Sequence, residues 1–437
     1  MDMNLQNRRE FLKVSGLAAA GGMLAINACS TTAPAVVAGT PVSPEVKLKV
    51  GLIGCGGRGT GAANQALNAD PNVELIAVAD IFRDKADSAL ELLGMRHGEK
   101  VNVPEERVFI GFDAYQKVID SGIDVVLLAG PSSFRPKHLE AAVDANLHVF
   151  CEKPVAVDAP GARRVFEAVR RSKEANLSIV SGFCWRYHYP KRAFYDRVLD
   201  GAVGDIRAIY NTYNTGAARV VESNTGWTPA QHQLRNWIYY NWISGDHIVE
   251  QAVHSLDFMS WAMGDEMPVS AVGSGGRQVR VDPIYGNIYD HFAITYEYAN
   301  GAKGFHFSRQ QPNCENSYKA EIFGSDGIAR AFASGEHSIR GRRNWDYEGE
   351  ENQMYQTQHD ELFASIRSGM PINDGEFMAK STLIGIMGRM AAYTGRKVTY
   401  EMALNSSEAL GPEINDWSMV PDADLLQVAM PGVTPFV

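Results

Sequence analysis

The chain has 437 residues, 45% of them apolar and 21% charged, with a formal net charge of −10. That length and balance fit a soluble globular protein of about two domains once a leader is set aside. The acidic balance argues against a basic nucleic-acid-binding face, and the spacing of the five cysteines (Cys29, Cys55, Cys151, Cys184 and Cys314) matches neither a disulfide scaffold nor a CxxC metal site.

In chain order a leader comes first. Arg8-Arg9-Glu10-Phe11-Leu12-Lys13 resembles the twin-arginine translocation motif, and an acid-free run of small apolar residues follows from Val14 to Ile26. That run is shorter than the ~20 residues a membrane-spanning helix needs, so residues 1–29 read as an export signal peptide rather than an anchor. Ile26-Asn27-Ala28-Cys29 resembles a lipobox with an unusual Asn27, which leaves lipidation of Cys29 open. Segment 30–46, rich in Ser, Thr, Ala and Pro, reads as a linker. The expected location is the periplasm or cell envelope. Cys29 belongs to the leader, and most of the other cysteines are expected to be free, buried thiols.

The body begins with an apolar strand through Leu48, Val50 and Leu52–Ile53, followed by Gly54-Cys55-Gly56-Gly57-Arg58-Gly59 and a helix over Ala62 to Leu67. A second buried strand, Val73 to Ala79, ends in Asp80. This is a G-x-G-x-x-G in its proper setting. Gly54 permits the tight turn, Gly56 lets backbone amides approach a pyrophosphate, and Gly59 lets helix and strand pack closely, while the helix N-terminus favours the phosphate charge. Asp80, 21 residues after Gly59, is placed to accept hydrogen bonds from the adenosine ribose, which favours NAD over NADP; Arg83 blurs that preference. Further strands at Ile123 to Leu128 and Leu147 to Cys151, with a helix between them, continue the alternation. The reading for 47–165 is an α/β domain with a doubly wound parallel sheet, its ligand at the strand C-terminal ends. Cofactor contacts are expected from Gly54, Gly56, Gly57, Arg58, Gly59, Asp80, Arg83, Gly130, Pro131, Ser132, His138, Glu152 and Lys153.

Glu152-Lys153-Pro154, about 100 residues after the glycine-rich unit, resembles the signature of the Gfo/Idh/MocA oxidoreductases, a likeness that extends from Lys47 to about Tyr400. The resemblance implies a Rossmann domain carrying NAD (NADP possible). It also implies an α+β C-terminal domain (166–404) with a large, mainly antiparallel open sheet, and a homodimer or tetramer formed through that sheet. It gives Lys153 contact with both nicotinamide ribose and substrate. Alternating segments after Val269 and the Asn300-Gly301 hairpin signal agree with such a sheet. Helices are expected over Tyr355 to Arg367 and Phe377 to Thr394, packing back on the domains. The tail 405–437, with four prolines, has no clear period and wraps a neighbouring subunit or stays loose.

In "SGDHIVEQAVHSLDFMSWAMG", His247, Glu250, His254 and Asp257 share one face of a continuous helix, within roughly 80° of arc. Such a stripe reads as a polar seam, a metal site or a catalytic face. The HExxH and HxxEH spacings are absent, and no metal is expected. The family resemblance assigns His254 as general acid/base, with Glu250, where the family usually has Asp, orienting it. His247 is a candidate for a sugar hydroxyl. Upstream, Arg235, Trp237 and Tyr240 suit a carbohydrate pocket, as do Arg186 and Tyr187. The expected function is an exported oxidoreductase acting on a ring hydroxyl, such as C3, of a sugar or glycoside, with a tightly held, self-recycled cofactor. Two alternatives stand beside it. One is an NAD-dependent glycosidase or lyase that works by transient oxidation and elimination, and the other is a non-catalytic sugar-binding protein.

Overall fold

Short apolar runs bounded by turn residues form strands buried on both faces, and such strands pair in parallel beneath crossover helices. The computed structural model describes residues 36–437 apart from 223–225, 336, 424 and 425. The twin-arginine motif, the apolar run, Cys29 and linker residues 30–35 lie outside the described residues.

Strand and helix alternate: β1 (Leu48–Ile53), α1 (Gly57–Ala69), β2 (Val73–Asp80), α2 (Arg83–His97), β3 (Val108–Ile110), α3 (Ala114–Ile119), β4 (Val125–Leu128), α4 (Arg135–Asp144), β5 (His148–Cys151), α5 (Ala159–Glu174) and β6 (Ile179–Ser181). The six strands run parallel in the order β3-β2-β1-β4-β5-β6. The order reverses at β1 and β4, which opens the ligand crevice at their C-terminal ends. β6 carries this sheet past residue 165. α1 starts at Gly57, inside the glycine-rich segment, rather than at Ala62. The close approach requires it, since a Cβ on Gly59 would sit 1.8 Å from the Gly54 carbonyl oxygen.

α6 (Tyr189–Leu199) leads into β7 (Ile206–Thr215), followed by four short helices, α7 (Pro229–Arg235), α8 (Asn241–Ser244), α9 (His247–Glu250) and α10 (Val253–Ala262). Then come β8 (Ser270–Gly276), β9 (His291–Glu297), β10 (Lys303–Gln310), β11 (Ser317–Gly324), β12 (Gly327–Phe332), β13 (Ser338–Gly341) and β14 (Trp345–Asp346). The chain returns through α11 (Met354–Ser368), α12 (Gly375–Thr394), β15 (Val398–Thr399) and α13 (Tyr400–Asn405). The second sheet has nine strands in the order β14-β13-β12-β11-β7-β10-β9-β8-β15. Only β7 and β10 pair in parallel among them. The β9–β10 hairpin turns at Gly301, whose φ of 85° suits glycine.

β9 alternates strictly, burying Phe292, Ile294 and Tyr296. That face shares a core with Leu256 and Met259 of α10 and Leu383 and Met387 of α12. α12 also reaches the first domain, where Met378 and Ala379 join a core with Ile179 and Val165. On the opposite face of the nine-stranded sheet, Val272 and Phe307 are exposed.

The tail after α13 lies on its own chain. Glu413 pairs with Lys137 at 2.9 Å, Glu408 with Arg389 at 2.6 Å, and the Pro421 carbonyl accepts from Gln233 at 2.6 Å. Cys55, Cys151 and Cys184 are free and buried, and Cys314 is free and exposed.

Candidate active site

The site grows from the turn after β1. Gly54 holds φ 94°, and a Cβ there would lie 2.4 Å from the Gly130 amide nitrogen. The glycine turn and the loop after β4 therefore touch. A Cβ on Gly56 or Gly57 would meet no protein atom within 4 Å. These two glycines border open space at the start of α1, whose first turn carries no acidic residue. That is the setting in which backbone amides and the helix dipole receive an anion. Asp80 ends β2 and accepts from the Cys55 amide (2.8 Å) and the Phe82 amide (2.9 Å). Burial pushes its carboxyl above the usual carboxylate range, against those two amide donors. Asp80, Gly130, Pro131 and His138 line one cleft with Phe112, Tyr115 and Phe134. His138 stacks on Tyr115 with ring centroids 4.3 Å apart, and burial lowers its pKa to about 3, so it stays neutral. The glycine turn, the acid and the apolar walls fit the pyrophosphate, ribose and base of a dinucleotide.

Sequence reasoning missed Arg135, which ties the cofactor edge together. Its buried guanidinium donates to Ser132 Oγ (3.1 Å), to the Gly130 carbonyl (2.8 Å) and to the Pro154 carbonyl. It thus staples the loop after β4 to the loop after β5. The available signal was a cation in the first turn of α4, where the helix dipole disfavours it unless other acceptors are near. Arg58 spans the other side. Its Nε lies 3.1 Å from Glu152 Oε1, and its guanidinium sits 4.7 Å from the Tyr355 ring centre. Burial raises the Glu152 carboxyl pKa, and the neighbouring Arg58 opposes that shift.

Lys153 follows β5 and aims its ammonium at α9. Nζ donates to the Glu250 carbonyl and lies 3.2 Å from Glu250 Oε1. Glu250 therefore partners Lys153 rather than orienting His254. The expected continuous helix is broken. α9 ends at Glu250 and α10 begins at Val253, with Gln251 and Ala252 between them. Gln251 is held from outside the segment, its Oε1 accepting from Gln310 Nε2 at 2.5 Å.

His254, in the first turn of α10, lies between Trp185 (ring centroids 4.8 Å) and the edge of Phe183 (5.9 Å). Its Nδ1 is enclosed and has no hydrogen-bond partner among the described residues. Burial first, and the Lys153 charge second, hold the imidazole well below 6.5. A depressed histidine pKa means the neutral, proton-accepting form persists as pH falls through 6.5. The acid limb of kcat/KM, followed from about pH 5 to 8, is expected below 6.5. A limb centred at or above that value would remove His254 as the base.

Several expected substrate residues lie elsewhere. Arg186 is buried against Asp257 (2.8 Å) and Asp265 (2.5 Å). The Tyr187 hydroxyl donates to Asp374 at 2.5 Å, and burial raises that carboxyl to about 6. His247 is fully buried, with Nδ1 3.1 Å from the Tyr289 carbonyl and Nε2 3.2 Å from Ser308 Oγ. Arg235 pairs with Asp84 at 2.6 Å and lies 3.9 Å from the Phe82 ring centre, toward the nucleotide end. Trp237 and Tyr240 pack in a cluster with Phe82, Trp242 and Ile414. Arg83 is exposed and paired with Glu105 at 2.6 Å and Asp87 at 2.7 Å, so its charge is taken up at the surface. Asp246 was also missed. It is buried at φ 73° and accepts from the Tyr289 amide (2.7 Å) and the Tyr393 hydroxyl (2.6 Å), which fixes the start of α9. Among the described residues no group of three or more His, Cys, Asp and Glu side chains could hold a metal ion.

Comparison with known proteins agrees with this geometry. The model of an oxidoreductase family with an NAD-binding Rossmann fold matches residues 48–179, and the model of the GFO/IDH/MocA C-terminal domain matches 192–330. The myo-inositol 2-dehydrogenase of Thermotoga maritima is 25% identical over 289 residues, covering 65% of this chain and 75% of that protein. The aldose–aldose oxidoreductase of Caulobacter crescentus, solved with glycerol, superposes with a TM-score of 0.64 at 20% identity, over 81% of this chain and all of that one. Levoglucosan dehydrogenase, solved with NADH and levoglucosan, gives 0.61 at 20% identity, over 81% and 99%. Both structural likenesses carry the fold. With both halves matched in order, the chain belongs to the Gfo/Idh/MocA family of NAD-binding oxidoreductases.

Proposed function

We propose that this protein is an exported NAD-dependent oxidoreductase that acts on a ring hydroxyl of a sugar or glycoside, with C3 as the first position to test. One observation carries the reading. The Lys153 ammonium, held by Glu250, stands near an imidazole that makes no side-chain hydrogen bond among the described residues, at the mouth of the dinucleotide crevice. The nicotinamide, when bound, supplies the acceptor for the hydride leaving the carbinol carbon. Lys153 holds the hydroxyl oxygen and stabilises its developing negative charge. An imidazole nitrogen of His254 takes the hydroxyl proton. Glu250 positions Lys153, and Asp80 favours the unphosphorylated ribose of NAD. The inositol dehydrogenase and sugar dehydrogenase relatives support a cyclic polyhydroxylated substrate. NADH formation by purified enzyme, measured over a panel of neutral monosaccharides, inositols and glycosides, tests the reading; silence across the panel would end it.

Export by the twin-arginine route, lipidation of Cys29 and a retained, self-recycled cofactor belong to the same proposal. Trp417 supports the last of these. Its ring lies 5.7 Å from Phe82 and 5.0 Å from Phe112, so the tail closes over the adenosine end of the crevice. Trp417→Ala is expected to release NAD about tenfold faster, read as cofactor lost on repeated desalting. Full retention in the variant would remove the tail from this role. Exposed Val272 and Phe307 on the open sheet face support pairing of two copies there, which sedimentation tests.

The second reading, net glycoside cleavage by transient oxidation, is favoured by a roomy cleft at the start of α6, lined by His188 and Tyr355, that would take a leaving group. Aglycone released in molar excess over total NAD would establish it. Carbonyl product equal to acceptor reduced would establish the dehydrogenase.

A further inference from the structure

A cleft of ≈ 710 Å³ opens at the start of α6, lined also by Ala333, His337, Asp346, Tyr347 and residues 351–355, and the oxidation steps described above leave it without a role. It falls within the ordinary range for a small-molecule site. Two chains of side-chain contacts run from its lining to the catalytic centre. Along one, the Trp185 ring packs on His254, the Lys191 ammonium lies 5.9 Å from that ring, and Lys191 bonds to His188 Nδ1 (3.1 Å) and the Ala333 carbonyl (2.9 Å). His188 and Ala333 both line the cleft. Along the other, Tyr355 lines the cleft and lies beneath Arg58, which pairs with Glu152 next to Lys153.

The lining has a definite chemistry. Tyr347 and Tyr355 offer aromatic surface and Gln353 offers an amide, while the Asn352 amide is spent on Tyr189, Tyr187 and Thr357. Among the described residues its carboxylates are Asp346, paired with Arg340 at 2.6 Å, and Glu351, 2.8 Å from His188; His188 and His337 line it too, and no lysine or arginine does. Aromatic rings with an amide and carboxylates suit a ring bearing hydroxyls. The nearby cations Lys191, Arg340 and Arg58 are each already engaged, by His188 and Ala333, by Asp346 and by Glu152, so an anion would find no lysine or arginine in the lining to receive it.

Resting on the sugar-hydroxyl reading above, we infer that this cleft is a second subsite, which holds a neutral glycosyl unit linked to the sugar that is oxidised. The enzyme then prefers neutral disaccharides and longer glycosides over monosaccharides, and rejects uronate and phosphate-bearing sugars at this position.

The test titrates the NAD-loaded full chain with glucose, galactose, cellobiose, lactose and cellobiouronic acid by calorimetry, and follows NADH in parallel. A neutral disaccharide is expected to bind about tenfold more tightly than its monosaccharide. Tyr347→Ala is expected to abolish that difference while leaving monosaccharide affinity unchanged, and Glu351→Gln should narrow the discrimination against cellobiouronic acid. Circular dichroism matching the parent establishes that both variants are folded. Equal affinity for the two sizes in the parent protein overturns the subsite, and equal affinity for cellobiouronic acid overturns its neutral assignment. The expected binding pattern without NADH formation or glycoside cleavage would sustain the subsite and overturn the functional reading. No binding by any of these sugars overturns the subsite.

Discussion

Lys153→Met is expected to lower kcat by about 10²–10⁴ while the protein stays folded and still binds NAD through the glycine turn and Asp80. The geometry gives the reason. An ammonium has three donors, and Glu250 engages Nζ through its carbonyl and its carboxylate, leaving donor capacity for a substrate oxygen at the crevice. Methionine keeps the length and apolar stem but supplies no donor and no charge, so the developing alkoxide loses its stabilisation. Lys153→Arg is expected to fail as well, because a planar fork cannot reproduce a point charge held against the Glu250 carbonyl. Glu250→Gln separates positioning from chemistry. The amide still accepts from Nζ through its oxygen, so kcat should fall only about tenfold. Steady-state kinetics and NAD titration of the three variants check the set. A Lys153→Met enzyme with kcat within about threefold of the parent would remove this lysine from the chemistry.

The legible parts of the molecule are those whose causes are local. The turn at Gly54 and the contact at Gly59 admit glycine alone, so the motif and its place between β1 and α1 are visible in the sequence. The apolar run of β2 and its terminal Asp80 are equally plain, and so is the strict alternation of β9. What the sequence hides depends on partners far along the chain. Nothing between Glu250 and Val253 announces a helix break; no Gly or Pro stands there, and Gln251 is held by Gln310, 59 residues away. A stripe of ionisable residues on an ideal helix therefore splits into separate fates. Glu250 holds Lys153, His254 faces aromatic rings, His247 is satisfied by Tyr289 and Ser308, and Asp257 is committed to Arg186. The aromatic run 237–242 resembles a sugar platform until the tail is placed over it, and Ile414 and Trp417 join the same cluster as Trp237 and Tyr240.

Arg186→Met is expected to destabilise the protein by about 3–5 kcal/mol and to leave kcat/KM per folded molecule unchanged. As a substrate-binding residue, Arg186 would show the opposite pattern. The guanidinium lies between Asp257 and Asp265, with four of its hydrogen-bond distances to them between 2.8 and 3.0 Å. It also sits 4.0 Å from the Phe377 ring centre and 5.0 Å from that of Trp261. Burial alone would weaken its hold on the proton, yet the two carboxylates outweigh burial and keep its pKa above the usual value. Methionine fills much of the same volume, so the main loss is charge. Asp257 stays fully enclosed with, among the described residues, Ser381 Oγ at 2.8 Å left to support it. An uncompensated buried carboxylate is costly, whereas an apolar pair of similar size costs little. The double variant Arg186→Met with Asp257→Leu is therefore expected to recover most of the lost stability. Denaturant midpoints for the single and double variants, read beside kcat/KM, decide the matter. Unchanged stability with lost activity in Arg186→Met would return this arginine to the substrate site.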